Sequence, residues 1–117
     1  MKRWTMVSVP WALVILIGVV CVTASIPGRE VAMLQNQSVA GTRVPRHTHP
    51  GEEVGYILEG KLLLEVESKS PLSLKTGDVF LIEAGRPHNV TNVGTGRARI
   101  LSTYFVEKGE PITSWLP

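Results

Sequence analysis

From residue 27 onward, Gly and Pro recur so often that no long helix fits between them. Each Gly in a helix interior costs about 1 kcal/mol and each Pro about 3 kcal/mol relative to Ala. Short strand-like runs remain. Residues 54–58 are apolar around Gly55, and residues 61–67 are apolar and then alternate. Residues 79–82 form a short apolar run, and residues 98–106 are rich in β-branched and aromatic side chains. Turn signals lie between them: Glu59-Gly60, residues 68–71, Thr76-Gly77-Asp78, residues 84–87 and residues 92–96. Several short strands at close spacing predict an all-β fold, a small antiparallel sandwich or barrel. A chain of 117 residues has room for one such domain.

The first 24 residues follow different rules. Lys2 and Arg3 precede an apolar stretch that is densest over residues 11–22, and Val22-Thr23-Ala24 closes it with small residues at peptidase spacing. This is the pattern of a secretory signal peptide, residues 1–24, and it implies an exported protein, periplasmic or secreted. The apolar residues 7–26 are also about the ~20 residues that span a bilayer, so the alternative is an uncleaved membrane anchor. The membrane would then be contacted through this segment alone. Lipid attachment at Cys21 is disfavoured by the bulk of Val20 before it.

Lys2 and Arg3 are also the whole of the formal +2 charge. The remainder is neutral and lacks Cys, which suits an oxidising compartment and excludes an internal disulfide framework. With 44% apolar residues and little net charge, the chain is not composed like a disordered one. The absence of a basic excess argues against nucleic acid as a partner.

The chain has three histidines: His47, His49 and His88. On a strand, residues two apart share a face, so His47 and His49 project together while Thr48 points away. Glu53 follows after the turn-prone Pro50-Gly51, which lets its carboxylate join them. His88 must arrive from another strand. Three neutral imidazoles and one carboxylate suit a divalent transition metal: Fe, Mn, Ni, Cu or Zn.

Residues 41–60 read GTRVPRHTHPGEEVGYILEG. They resemble the first motif of the cupin superfamily, with Gly41, His47, His49, Glu53 and Gly60 at the matching positions. Residues 77–92 read GDVFLIEAGRPHNVTN and resemble the second, with Gly77, Gly85, His88 and Asn92 in place. Glu83 stands where the pattern usually has Pro, which puts the local turn in question. Sixteen residues separate the motifs, as in compact microbial cupins. The resemblance implies a jelly-roll-like β-barrel over residues 41–106, with metal inside on His47, His49, Glu53 and His88. Residues 25–40 are then an N-terminal segment or edge strand, and residues 107–117 an irregular tail. Gly60 suits a hairpin position that needs positive φ, and Asn92 a turn.

Similar single-domain cupins include quercetinase-type dioxygenases, which implies a metal-dependent, dioxygenase-like oxidoreductase acting on a small enolisable or phenolic compound. Glu53 would then be both ligand and catalytic proton acceptor. The alternative is a non-catalytic protein of the periplasm that holds a metal or small ligand. Sugar isomerisation has less support. The resemblance also implies a homodimer, with residues 31–40 offering an edge. Tyr56, Phe80, Tyr104 and Phe105 are expected mainly as core aromatics.

Overall fold

The computed structural model describes residues 14–117. Its ten strands are β1 (Val14–Thr23), β2 (Arg29–Ser38), β3 (Arg43–Thr48), β4 (Gly51–Glu59), β5 (Lys61–Val66), β6 (Leu72–Lys75), β7 (Val79–Ile82), β8 (His88–Asn92), β9 (Ala98–Glu107) and β10 (Ser114–Trp115). They form two five-stranded sheets, ordered β1-β2-β9-β4-β7 and β10-β3-β8-β5-β6. Every pairing is antiparallel. The all-β expectation holds, and β4, β5, β7 and β9 fall on the four predicted runs.

Alternation sets the interior. On β4, Gly51, Glu53, Gly55 and Ile57 are buried while Glu52, Val54 and Tyr56 are exposed. A side chain at Gly51 or Gly55 would collide with the Phe105 backbone or the Phe80 ring, so both positions require glycine. Gly60 closes the β4–β5 hairpin at φ 98, as predicted for a left-handed position. A Cβ there would lie 2.8 Å from Ala98 Cα, so sterics and conformation agree on glycine. At Glu83 the turn survives without Pro: Arg86 N–H donates to the Glu83 carbonyl at 3.2 Å, and Gly85 takes φ 71. A positive φ at the third position is what a type II turn needs. Asn92, expected in a turn, is instead the last residue of β8, and its side chain braces the turn that follows. Its amide donates to the Ser38 and Gly96 carbonyls and its Oδ1 accepts from Gly94 N–H.

Three other readings change. Residues 25–40 do not supply an edge: β2 lies between β1 and β9. The tail is not wholly irregular, because Ser114 and Trp115 pair with Thr48 and His47. The expected leader falls partly on residues 1–13, outside the described residues, and partly on β1, which pairs with β2 along its length. A ten-residue run rich in Val and Ile satisfies strand propensity as readily as leader hydrophobicity. No helix among the described residues is long and apolar enough to cross a membrane.

Candidate metal centre

The two sheets contribute different halves of one constellation. His47 on β3 and His88 on β8 are direct register partners, with ring centroids 4.2 Å apart. His49 follows β3, with centroids 4.8 Å from His47 and 4.9 Å from His88. Glu53 comes from β4 in the opposite sheet. All four are buried, between 3% and 7% exposed.

A bulge aims His47. Between Val44 and His47, β3 spends three steps where β8 spends two. The extra residue falls at Pro45-Arg46, where proline's missing N–H is tolerated. In a regular strand, Val44 and His47 would face opposite sides. Here both line the interior cavity.

Backbone carbonyls orient the rings. His47 Nδ1 lies 2.6 Å from the Pro45 carbonyl, His49 Nδ1 2.7 Å from the Ile112 carbonyl and His88 Nδ1 2.9 Å from the Arg86 carbonyl. A carbonyl only accepts, so each Nδ1 carries the proton and each Nε2 keeps its lone pair. The three imidazoles offer ligand atoms within 4.8 Å of one another. His49 Nε2 and His88 Nε2 lie 3.2 and 3.6 Å from Glu53 Oε1. Despite that approach, the buried His49 Nε2 makes no aligned hydrogen bond. A buried lone pair without a donor, beside two others and a carboxylate oxygen, fits a metal ion.

Glu53 is held from behind. Its Oε2 accepts from Ser102 Oγ at 2.7 Å and from Tyr104 Oη at 3.2 Å. Oε1 is thereby left to face the imidazoles. Burial alone would raise the Glu53 pKa, but when the facing His49 and His88 rings carry a proton on Nε2, their hydrogen bonds and charge outweigh it and keep the carboxyl well below its usual range. Burial pushes His47 down to about 3, helped by the neighbouring His88 and His49, so at neutral pH it is the neutral, ligating form. Burial and the Glu53 charge raise Tyr104, which therefore stays a phenol donor.

Reasoning from sequence missed Ser102 as a partner of the site; Tyr104 is in the core as expected, and its hydroxyl also reaches Glu53. The available signal was the run on β9, where Ala98, Ser102, Tyr104 and Val106 share the buried face. The tail was also missed. Ile112 supplies the carbonyl for His49, and the Trp115 ring lies 5.2 Å from His47. No local pattern announces either contact. Tyr56 and Phe105 turn outward, 42% and 40% exposed, contrary to the core expectation. Phe80 is half-buried and lines the cavity. That cavity, about 160 Å³, continues from the site between the sheets past Ile57, Leu62 and Leu64.

Comparison with known proteins supports the fold. The HTH-type transcriptional regulator PuuR of Escherichia coli (strain K12) is 34% identical over 79 residues, which are 67% of this chain and 42% of the regulator. The chain thus spans under half the length of that curated relative. A DMSP lyase, DddQ from Ruegeria pomeroyi DSS-3, superposes with TM-score 0.66 at 26% identity, covering 73% of this chain and 42% of the lyase. An oxalate oxidase bound to the substrate analogue glycolate superposes with TM-score 0.66 at 24% identity, over 74% of this chain and 46% of the oxidase. At that identity the likeness concerns the fold alone. The cupin domain family (Cupin_2) matches residues 37–104, a span that contains His47, His49, Glu53 and His88. The chain belongs to the cupin family.

Proposed function

We propose that this cupin holds one divalent transition metal on His47, His49, Glu53 and His88, and uses it as a dioxygenase-like oxidoreductase on a small enolisable or phenolic compound. The observation that carries this is the convergence of three carbonyl-oriented imidazoles and Glu53 Oε1 at one end of an interior cavity. A site with four protein ligands on a six-coordinate ion keeps room for ligand oxygens. When bound, such an ion supplies Lewis acidity and, if redox-active, one-electron chemistry. The chain's own residues do the rest. Ser102 and Tyr104 fix the Glu53 carboxylate, which would serve as metal ligand and, in this reading, as acceptor for the proton of an enol or phenol entering the cavity. Trp115 and Leu34 line the cavity around it. We place the protein outside the cytoplasm on Lys2, Arg3 and the apolar run ending at Ala24, either released or held by that run. Homodimerisation belongs to the same proposal.

The first test is elemental analysis of protein purified without chelators, beside a His47→Ala/His49→Ala variant. Metal in the wild type and at least about tenfold less in the variant is expected. Equal contents sink the assignment. Oxygen uptake against a panel of phenols and dicarbonyls then tests the chemistry. The likeness to a transcriptional regulator favours a second reading, a non-catalytic module for a metal or small ligand. The described residues hold no helix. A tight ligand recovered unchanged, with no oxygen uptake, decides for that reading.

A further inference from the structure

The cavity wall carries charge information that the metal site alone does not. Among the described residues that line it, Glu53 is the one charged side chain; none is Lys or Arg. The polar lining is otherwise neutral, with Asn36, Gln37 and Thr42 on one side. Ile57, Leu62, Leu64 and Leu74 form the far wall and are 5% exposed or less.

Resting on the metal reading above, Glu53 cancels one of a divalent ion's two charges, and neutral imidazoles cancel none. The site is left with one positive charge. A ligand with one negative charge closes the count at zero. A second negative charge would enter a largely apolar cavity whose lining holds no cation to meet it. Moving a carboxylate from water into such surroundings is strongly unfavourable unless it is paired. A neutral ligand leaves the site's own charge uncompensated. We propose that this cupin selects compact monoanions with an apolar body, such as an enolate, a phenolate or a 2-hydroxymonocarboxylate, and rejects dianions of the same size.

Two four-carbon 2-hydroxy acids separate the cases. 2-Hydroxybutyrate and malate present the same hydroxycarboxylate to the metal, and differ in a methyl group against a second carboxylate. Butane-1,2-diol is the neutral control. Each is titrated by calorimetry into the full chain loaded with Mn²⁺, at about pH 7.5, with metal content measured on the same samples. 2-Hydroxybutyrate is expected to bind, with malate at least about 100-fold weaker and the diol also weaker than the monoanion. Asn36 lies on β2 opposite Ile100 and lines the cavity. Asn36→Lys adds the missing cation and is expected to narrow the malate gap to within about tenfold. With metal bound, malate binding as tightly as 2-hydroxybutyrate overturns the charge selection and leaves the metal reading standing. Absence of 2-hydroxybutyrate binding at millimolar concentration does the same. A wild type that takes up no metal overturns both.

Discussion

The barrel interior has two ends, built from the same strands in opposite ways. On β4, Ile57 joins Leu62, Leu64, Leu74, Ile82 and Ala98 in an apolar cluster. Four residues earlier on the same face, Glu53 joins His47, His49 and His88. β9 divides likewise, with Ala98 in the cluster and Ser102 and Tyr104 on the Glu53 carboxylate. One end is held by area removed from water, at roughly 25 cal/mol per Å². The other consists of groups that burial penalises, each kept in place by a specific partner. Strand alternation therefore sets how much is buried, while side-chain identity decides whether a stretch of strand stabilises the fold or stores reactivity.

If that division is right, damage at the two ends has different consequences. The largest effect on stability is expected from Ile57→Ala. Ile57 is fully buried, and its truncation should cost about 2–5 kcal/mol in urea denaturation. Metal bound per folded molecule should be unchanged. A cost below about 1 kcal/mol, or loss of metal from the folded fraction, would erase the distinction between the ends.

Deleting residues 112–117 acts on the polar end instead. It removes the Ile112 carbonyl from His49 Nδ1 and the Trp115 ring from His47. Metal affinity should fall about 10–100-fold, as is typical when an outer partner of a ligand is lost. The stability cost should be smaller than that of Ile57→Ala. Unchanged affinity would mean that the rings hold their orientation without the tail.

The smallest effect, taken per unit of pH, is the acid dependence of the metal-free protein. His47 sits near 3 in the fold against 6.5 in the unfolded chain. Between those values the unfolded chain binds the proton and the native state does not, so stability falls as pH falls through that window. Glu53, also depressed, acts in the same direction below about pH 4.5. The slope from His47 is at most about 1.4 kcal/mol per pH unit. His47→Gln should flatten the decline between pH 6.5 and 4.5, and a variant with the wild-type slope would refute the assignment. Ile57→Ala should lower the whole curve and keep its shape.

Much of the fold was legible because its signals are local. Residues 54–58, 61–67, 79–82 and 98–106 carry their strand preference in their own side chains, and Gly60 announces a turn through the one backbone conformation it permits. β3 and β8 gave no such signal. They are short and polar, and pairing across the sheet makes them strands. The apolar run before residue 24 satisfies two physical demands at once, leader and edge strand, so its composition could not choose between them.

By itself, the sequence determined that the protein is all-β and that His47, His49, Glu53 and His88 are the candidate donors, because strand periodicity and donor chemistry belong to the residues themselves. Only the tertiary structure decided how they work together. The bulge at Pro45-Arg46 turns His47 inward, the Ile112 carbonyl arrives from 63 residues away to orient His49, and two hydroxyls from the neighbouring strand β9 leave Glu53 Oε1 facing the imidazoles. Those contacts depend on register and sheet packing, which are fixed by closing the whole barrel, and no short stretch of chain encodes them.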